Sequence, residues 1–503
     1  MLRKIVSVTS RTTVGKAMVL GVVCSFVAGC GSSIGPIDVP SVPSIGAPSL
    51  PGFGSSRRAQ QSGVFAAPGS EWGHVSAAGQ NFAGLVVADE PRAALAAQRV
   101  LEQGGSAGDA VTALYFTLAA TNPAAASLGG GGICLIHDPE RGLVQSIDFL
   151  PRAPADGGPV AIPGSVSGIA QIHAGFGTLS WSDVVDPAAV VAASHPMSRT
   201  LARRLDTANA NFRGSNRLRR ILTNNGLFID EGEPIVQSNL AGTIGIIANR
   251  GPQDMYTGEL AYRFIEEAGE GGARITTIDM QSYRPNVTTA QAIQLPGGQT
   301  AYIPAGATGA GFFFPEMTQK SLRGLPQNLT PGTPAAASIQ REAASVLAES
   351  GVSAVLPSDF GSTSFAVTDQ DGLTIACGLT MNGAFGTADL GRSSGIIHAR
   401  SPSDIEYGLS GVFLTPLIIT GGQDNELSLA AASAGGPDAP AALLYTAINA
   451  PTQGLEQAMT NNGSHLTATV NAISCEREAG DRNRVCRIGV DPRGSGLGAE
   501  AVR

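Results

Sequence analysis

The sequence predicts an α+β protein in which β-sheets lie sandwiched between layers of helix. Three observations lead there. Helical patterns dominate the chain before about position 290, strand patterns take over after Gly361, and largely apolar helix patterns that need a covering layer stand among them. At 503 residues the chain is long enough for a large core, and length alone leaves one to three domains open. Charged residues make up 14% and the net charge is −8, with no Lys- or Arg-rich run to pair with phosphates, so nucleic acid is not an expected partner.

At the N-terminus, Arg3, Lys4, Arg11 and Lys16 precede an apolar run from Ala17 to Phe26 that ends in Val27-Ala28-Gly29-Cys30. This reads as a signal peptide, residues 1–29, with a lipobox. The run is too short to span a bilayer as a helix, and the Cys30 thiol can take a diacylglycerol. The expected location is the bacterial cell envelope, lipid-anchored and periplasm-facing, with Gly31 pointing to an outer membrane where the cell has one. An ordinary signal with a chance cysteine is the plainer alternative. Residues 30–72, rich in Pro, Gly and Ser, read as a flexible tether.

Of the six cysteines, Cys24 leaves with the signal and Cys30 is acylated. Cys475 and Cys486 stand near enough to close a short surface loop as a disulfide. Cys134 and Cys377 sit in apolar runs and read as small buried hydrophobes. No His or Cys spacing resembles a metal site, and neither metal nor organic cofactor is expected.

The folded part opens with Gly84 to Ala88, an apolar run that fits a buried strand. Pro91 suits a first helical turn, Ala93 to Leu101 recur with helical period, and Gly104-Gly105 stops the run. Asp109 to Ala120 reads as a second, largely buried helix closed by Asn122-Pro123. A strand follows from Ile133 to Ile136, then a turn at Asp138-Pro139 and a returning strand near Val144 to Phe149. From Trp181 to Glu270 the pattern is helical, with Ser180 or Ser182 as N-cap candidates. Arg199, Arg203, Arg204, Arg213, Arg217, Arg219 and Arg220 there read as solvated helix faces. A less ordered stretch from Pro296 to Pro334 leads to a helix from Ala335 to Ser350. Thr363 to Thr368 alternates, Asp371-Gly372 is a hairpin turn, and Leu373 to Thr380 returns. Further strands fit Leu414 to Thr420 and Leu427 to Ser433. No internal repeat is visible.

One constellation carries chemistry. Ser362 follows Gly361 at the start of the alternating strand, and on its own it is a loop serine. Around it stand Ala97 to Ala110, Leu128 to Ile133 with Gly129-Gly130-Gly131-Gly132, and Ile162 to Val166. Phe176 to Trp181, Gly251 to Gly258, Gly361-Ser362-Thr363, Thr380-Met381-Asn382 and Ala434-Gly435-Gly436-Pro437 complete the series. In this order the chain resembles the gamma-glutamyltranspeptidases, from about Ala83 to Pro437 with a gap near 300–355.

The resemblance implies a four-layer αββα sandwich of the N-terminal nucleophile hydrolase type. It also implies a precursor that cuts itself before Ser362, leaving a large chain, residues 73–361 of the catalytic unit, and a small chain, residues 362–503, that stay associated. The freed residue then supplies both a hydroxyl and an α-amine with pKa near ~8 that serves as its general base. Counting back from Asp369-Gln370-Asp371-Gly372 puts Ser362 at the nucleophile position, and a count shifted by one residue puts Thr363 there. The resemblance gives Thr380 a hydroxyl that bonds the nucleophile, and gives Gly435 and Gly436 the oxyanion hole. Asn382 and Asp404 would position a substrate amine.

The departures are specific. The family places an Arg after an Asp-Phe pair to read a glutamyl carboxylate, and here Asp148-Phe149 is followed by Leu150. Arg152, two residues on, is the candidate to reach the same space. Two carboxylate-assisting serines correspond to Val412 and Phe413. The expected function is that of a self-processing gamma-glutamyltransferase or hydrolase acting on small gamma-glutamyl amides or peptides such as glutathione. A related acylase for a non-glutamyl amide, and an unprocessed, inactive envelope binding lipoprotein, stand as alternatives.

Overall fold

The first apolar run becomes a strand, β2 (Phe82–Ala88), behind the short β1 (His74–Ser76). The computed structural model describes residues 74–76, 81–208, 216–305, 319, 345, 359–403, 410–421, 425–462, 468–477 and 484–503. Pro91 opens α1 (Pro91–Glu102), where its missing N–H costs nothing. The Glu90 carboxylate caps this helix by accepting from Ala93 N at 2.8 Å. The second helix, α2 (Ala107–Thr121), is buried along its whole length. It starts earlier than its apolar pattern because Ser106 and Asp109 close a capping box.

The expected hairpin forms from β3 (Gly131–Asp138) and β4 (Leu143–Asp148). The middle is helical, comprising α3 (Ser165–Phe176), α4 (Trp181–Ala193), α5 (Arg199–Ala208), α6 (Asn216–Leu222), α7 (Ser238–Arg250), α8 (Asp254–Thr257), α9 (Glu259–Glu270) and α10 (Thr277–Ser282). Two small ladders interrupt it, made from β5 (His195–Pro196) with β8 (Pro234–Ile235) and from β6 (Thr223–Asn224) with β7 (Leu227–Phe228). Ser180 is the N-cap of α4 and accepts from Asp183 N.

After β9 (Asn286–Thr289) come β10 (Gln291–Gln294) and β11 (Thr300–Ile303). The second of these corrects the expectation of a less ordered stretch from Pro296. These four-residue strands are held by partners rather than by local pattern, since β11 pairs with a strand more than a hundred residues later. The helix expected over 335–350 lies outside the described residues, apart from the single residue Ser345.

The second part of the chain gives β12 (Ser362–Asp369) and β13 (Thr374–Thr380), joined at Asp371-Gly372, then β14 (Leu417–Gly421) and β15 (Glu426–Ala434). Helices α11 (Ala439–Gln453) and α12 (Leu455–Asn461) follow, and then β16 (Thr469–Arg477), β17 (Arg484–Val490) and β18 (Leu497–Val502).

Among the described residues two seven-stranded antiparallel sheets result, ordered β18-β2-β12-β13-β3-β4-β9 and β1-β17-β16-β15-β14-β11-β10. Alternation along each strand sorts side chains into layers. Val86, Phe365, Val367 and Ile375 face a helical layer that includes α1, α2, α4 and α7. Leu85, Val87, Leu135, Ala366 and Ala376 face the other sheet, against Ile418, Ala430 and Ile473. The far side of that second sheet, with Leu417, Leu429 and Ala431, is covered by Ala439, Leu443 and Met459 of α11 and α12. The architecture is therefore the expected four-layer αββα sandwich.

Both disulfides join residues directly opposite on paired strands. Cys475–Cys486 links β16 to β17 and lies in the core between the sheets, not in a surface loop. Cys134–Cys377 links β3 to β13, which corrects the reading of these two as separate buried hydrophobes. Each sits in an apolar strand, and only the register of strands 243 residues apart brings them together.

Candidate functional site

Ser362 is the first residue of β12, and strand alternation decides where its side chain points. Ser362, Ser364 and Ala366 face the second sheet, while Thr363, Phe365 and Val367 face the helices. The Ser362 hydroxyl thus meets the end of β15, where its Oγ accepts from Gly435 N at 2.8 Å and donates to Gly435 O at 2.9 Å. Thr363 instead donates to the buried Asp89 carboxylate at 3.0 Å. Asp89 also accepts from Ser364 N, Thr469 Oγ1 and Asn471 Nδ2, and so ties β12 and β16 to the end of β2.

The residues preceding Ser362 are held from several sides. Gly361 has φ +59°, and a Cβ there would lie 2.1 Å from Gly383 O, so only glycine fits. Its N–H donates to Asp359 Oδ1 at 2.8 Å, and its carbonyl accepts from Met381 N at 2.9 Å. Arg204 of α5 spans the junction, bonding Ser362 O through Nη2 and pairing with Asp359 through Nη1 at 3.5 Å. Among the arginines read as solvated, this one is turned inward, with 16% of its side chain exposed.

Thr380 lies opposite Ser362 on β13. Its hydroxyl donates to Phe360 O at 3.1 Å rather than to Ser362, and accepts from Asn382 N at 2.9 Å. The Phe360 carbonyl thus takes the Thr380 hydroxyl in place of the expected contact with the nucleophile. Asn382, at φ +52°, spends its amide on Arg400 O at 2.9 Å and on the Ser410 hydroxyl. It holds two loops beside the site in this state. Gly435 has φ +132° and Gly436 is buried, both in the turn between β15 and α11. Asp404 lies outside the described residues.

The structure does not bring Arg152 toward Ser362. Its guanidinium lies 4.6 Å from the Tyr283 ring centroid and donates to Arg284 O at 2.8 Å, so a cation–π contact and a carbonyl hold it elsewhere. Leu150 is 6% exposed and packs with Ile133 and Leu414. Val412 and Phe413 are buried, and the Phe413 ring stacks on Phe360 with centroids 4.9 Å apart. Sequence reading missed Asp89, Arg204, Asp359 and the Phe360–Phe413 stack. Nothing in their local sequence marks them, because each acts across the fold.

Comparison with known proteins bears on this arrangement. Residues 93–314 match the family model described as gamma-glutamyltranspeptidase. Over these residues, 222 of the 503, the chain is similar to the gamma-glutamyltranspeptidases. It is 30% identical over 254 residues to the glutathione hydrolase proenzyme of Escherichia coli (strain K12), covering 45% of this chain and 43% of that protein. It is 29% identical over 244 residues to scoloptoxin SSD14 of Scolopendra dehaani, covering 44% and 42%. The chain thus spans less than half the length of these relatives.

A cephalosporin acylase from Bacillus halodurans shares the fold, with TM-score 0.65 and 16% identity over 86% of this chain and 97% of that one. The chemistry available here is that of a hydroxyl at a strand start with a glycine N–H beside it. The N–H can hold charge that develops on oxygen, because bare backbone allows close approach.

Proposed function

We propose that this protein is a self-processing amide hydrolase or acyltransferase of the gamma-glutamyltransferase type, with Ser362 as nucleophile. The observation that carries the reading is the Ser362 hydroxyl on Gly435, at the start of a strand and directly after a glycine that alone fits its place. In the first step Ser362 Oγ attacks the Gly361 carbonyl carbon. An ester forms as the C–N bond breaks, the nitrogen takes the proton, and water releases a Gly361 carboxylate and a free Ser362 amine. In turnover that amine accepts the hydroxyl proton and returns it to the leaving amine, while Gly435 and Gly436 N–H hold the oxyanion. Thr380, released from Phe360, would bond the nucleophile.

On this reading the donors are gamma-glutamyl amides such as glutathione, by likeness to the relatives named glutathione hydrolases. Asn382 and Asp404 would hold the donor amine. A second reading, an acylase for a non-glutamyl amide, is favoured by one observation: Leu150, packed with Ile133 and Leu414, stands where the family has its carboxylate-reading Arg. An uncut binding lipoprotein is the remaining alternative.

Mass measurement and N-terminal sequencing of the purified protein test the nucleophile. The expected result is two chains with Ser362 at the new N-terminus, and a single chain for Ser362→Ala. A folded native protein that stays whole would remove the enzyme reading and leave the binding lipoprotein. We further propose that Cys30 carries the lipid that anchors the protein in the cell envelope. Labelling with a radioactive fatty acid should mark the native chain and be lost in Cys30→Ser; label persisting in the variant would sink the anchor.

A further inference from the structure

The first acyl group that Ser362 would take up is the chain's own, ending in Phe360 and Gly361. Phe360 is 0% exposed, and its N–H donates to Gly435 O at 3.1 Å. Its carbonyl accepts from Gly383 N at 2.7 Å and from Thr380 Oγ1 at 3.1 Å. The ring lies on Phe413 with centroids 4.9 Å apart and planes inclined by 14°. Leu414, next to Phe413, packs on Ile133 and Leu150. The surface that the Phe360 ring covers is therefore the aromatic face of Phe413. A carboxylate set against the Phe413 ring would lose hydration there with no gain from the ring, whereas a flat ring would replace the stacking contact of Phe360.

We infer that the acyl site of the processed protein takes an aromatic acyl group, in a donor amide whose ring stacks on Phe413 in the place that Phe360 holds before cleavage. This rests on Ser362 as nucleophile and develops the second of the two donor readings. Ser362 Oγ adds to the donor carbonyl carbon, and the ester forms as the amide C–N bond breaks. The hydroxyl proton passes through the Ser362 α-amine to the leaving amine. Water then cleaves the ester, releasing the aryl-bearing acid and restoring the hydroxyl. The acyl group that best copies Phe360–Gly361 is N-(3-phenylpropanoyl)glycyl, which keeps that backbone and ring and lacks only the amine.

The test uses the full protein after mass measurement has established its processing. Release of p-nitroaniline is followed from the N-(3-phenylpropanoyl)glycyl, N-acetylglycyl and gamma-glutamyl anilides. The expected result is a kcat/KM for the phenylpropanoyl donor about tenfold or more above both others. The processed fraction of Phe413→Leu, which keeps an apolar wall and avoids a cavity, should lose most of that advantage through KM. A processed protein that prefers the gamma-glutamyl donor, treats the two glycyl donors alike, or turns over none of the three overturns the aromatic site and leaves Ser362 as the self-cutting residue. A chain that never cuts overturns both.

Discussion

Ser362 and Thr363 are neighbours that look to opposite sides of β12, and this separates two hydroxyls that sequence could not tell apart. The chemistry of each follows from its surroundings. The Ser362 hydroxyl shares its bonds with a glycine turn at the mouth between two sheets. The Thr363 hydroxyl is one of several donors gathered on Asp89, and a carboxylate buried there needs them all. Thr363→Ala should therefore keep its self-cleavage while losing about 1–3 kcal/mol of stability, the cost of one hydrogen bond to a charged group. Denaturant unfolding and a mass spectrum of the same sample would check this. A Thr363→Ala chain that stays uncut beside a Ser362→Ala chain that cuts would move the nucleophile by one residue.

At the scale of elements, Asp109 shows how one side chain can set a helix start. Its carboxylate accepts from Ser106 N, Thr178 N and Leu179 N, and lies 3.2 Å from His173 Nε2 of α3. Burial opposes its ionisation, yet the bonds from His173, Thr178 and Ser106 outweigh that and hold its carboxyl well below the usual carboxylate range. The folded form thus binds its proton less readily than the unfolded chain. The stabilisation is present above the ordinary Asp value of about 4 and is lost as pH falls below it. Asp109→Asn should cost about 3 kcal/mol near neutral pH, because an amide nitrogen cannot accept from those donors. It should also flatten the acid side of a plot of melting temperature against pH; an unchanged acid slope would contradict the linkage.

The capping box at Ser106 and Asp109 passed unread, and the helix was expected to start only at Asp109, whereas the hairpins at Asp138-Pro139 and Asp371-Gly372 were legible because their signals span a few residues. The strands β10 and β11 were not, since four residues carry too little pattern and their partners are remote. Arg204 was not distinguishable from the other arginines of its region for the same reason: its partners, Ser362 and Asp359, come from the far end of the chain. The candidate nucleophile was reached through the order of many short motifs, and the surroundings that orient it come from the fold.

At the scale of the whole molecule, a cut before Ser362 would not divide the fold. In the first sheet strands of the two prospective chains are intermixed, with β2 held between β18 and β12, and β3 against β13. In the second sheet β1 and β11 of the earlier part pair with β17 and β14 of the later one. Pulling the chains apart would break ladders in both sheets and expose the core between them, so they should stay associated after cleavage. The Cys134–Cys377 bond adds a covalent link across the same division, since Cys134 precedes the cut and Cys377 follows it. Cys475–Cys486 lies wholly in the later part. Protein processed in an oxidising compartment should therefore run as one species on a denaturing gel without reductant and as two with it. Replacing both Cys134 and Cys377 by Ala should release two chains without reductant, leave self-cleavage in place, and lower stability by about 2–4 kcal/mol, the usual contribution of a native cross-link. Two bands from the native processed protein without reductant would mean that the strand register, and not the disulfide, is what holds the halves together.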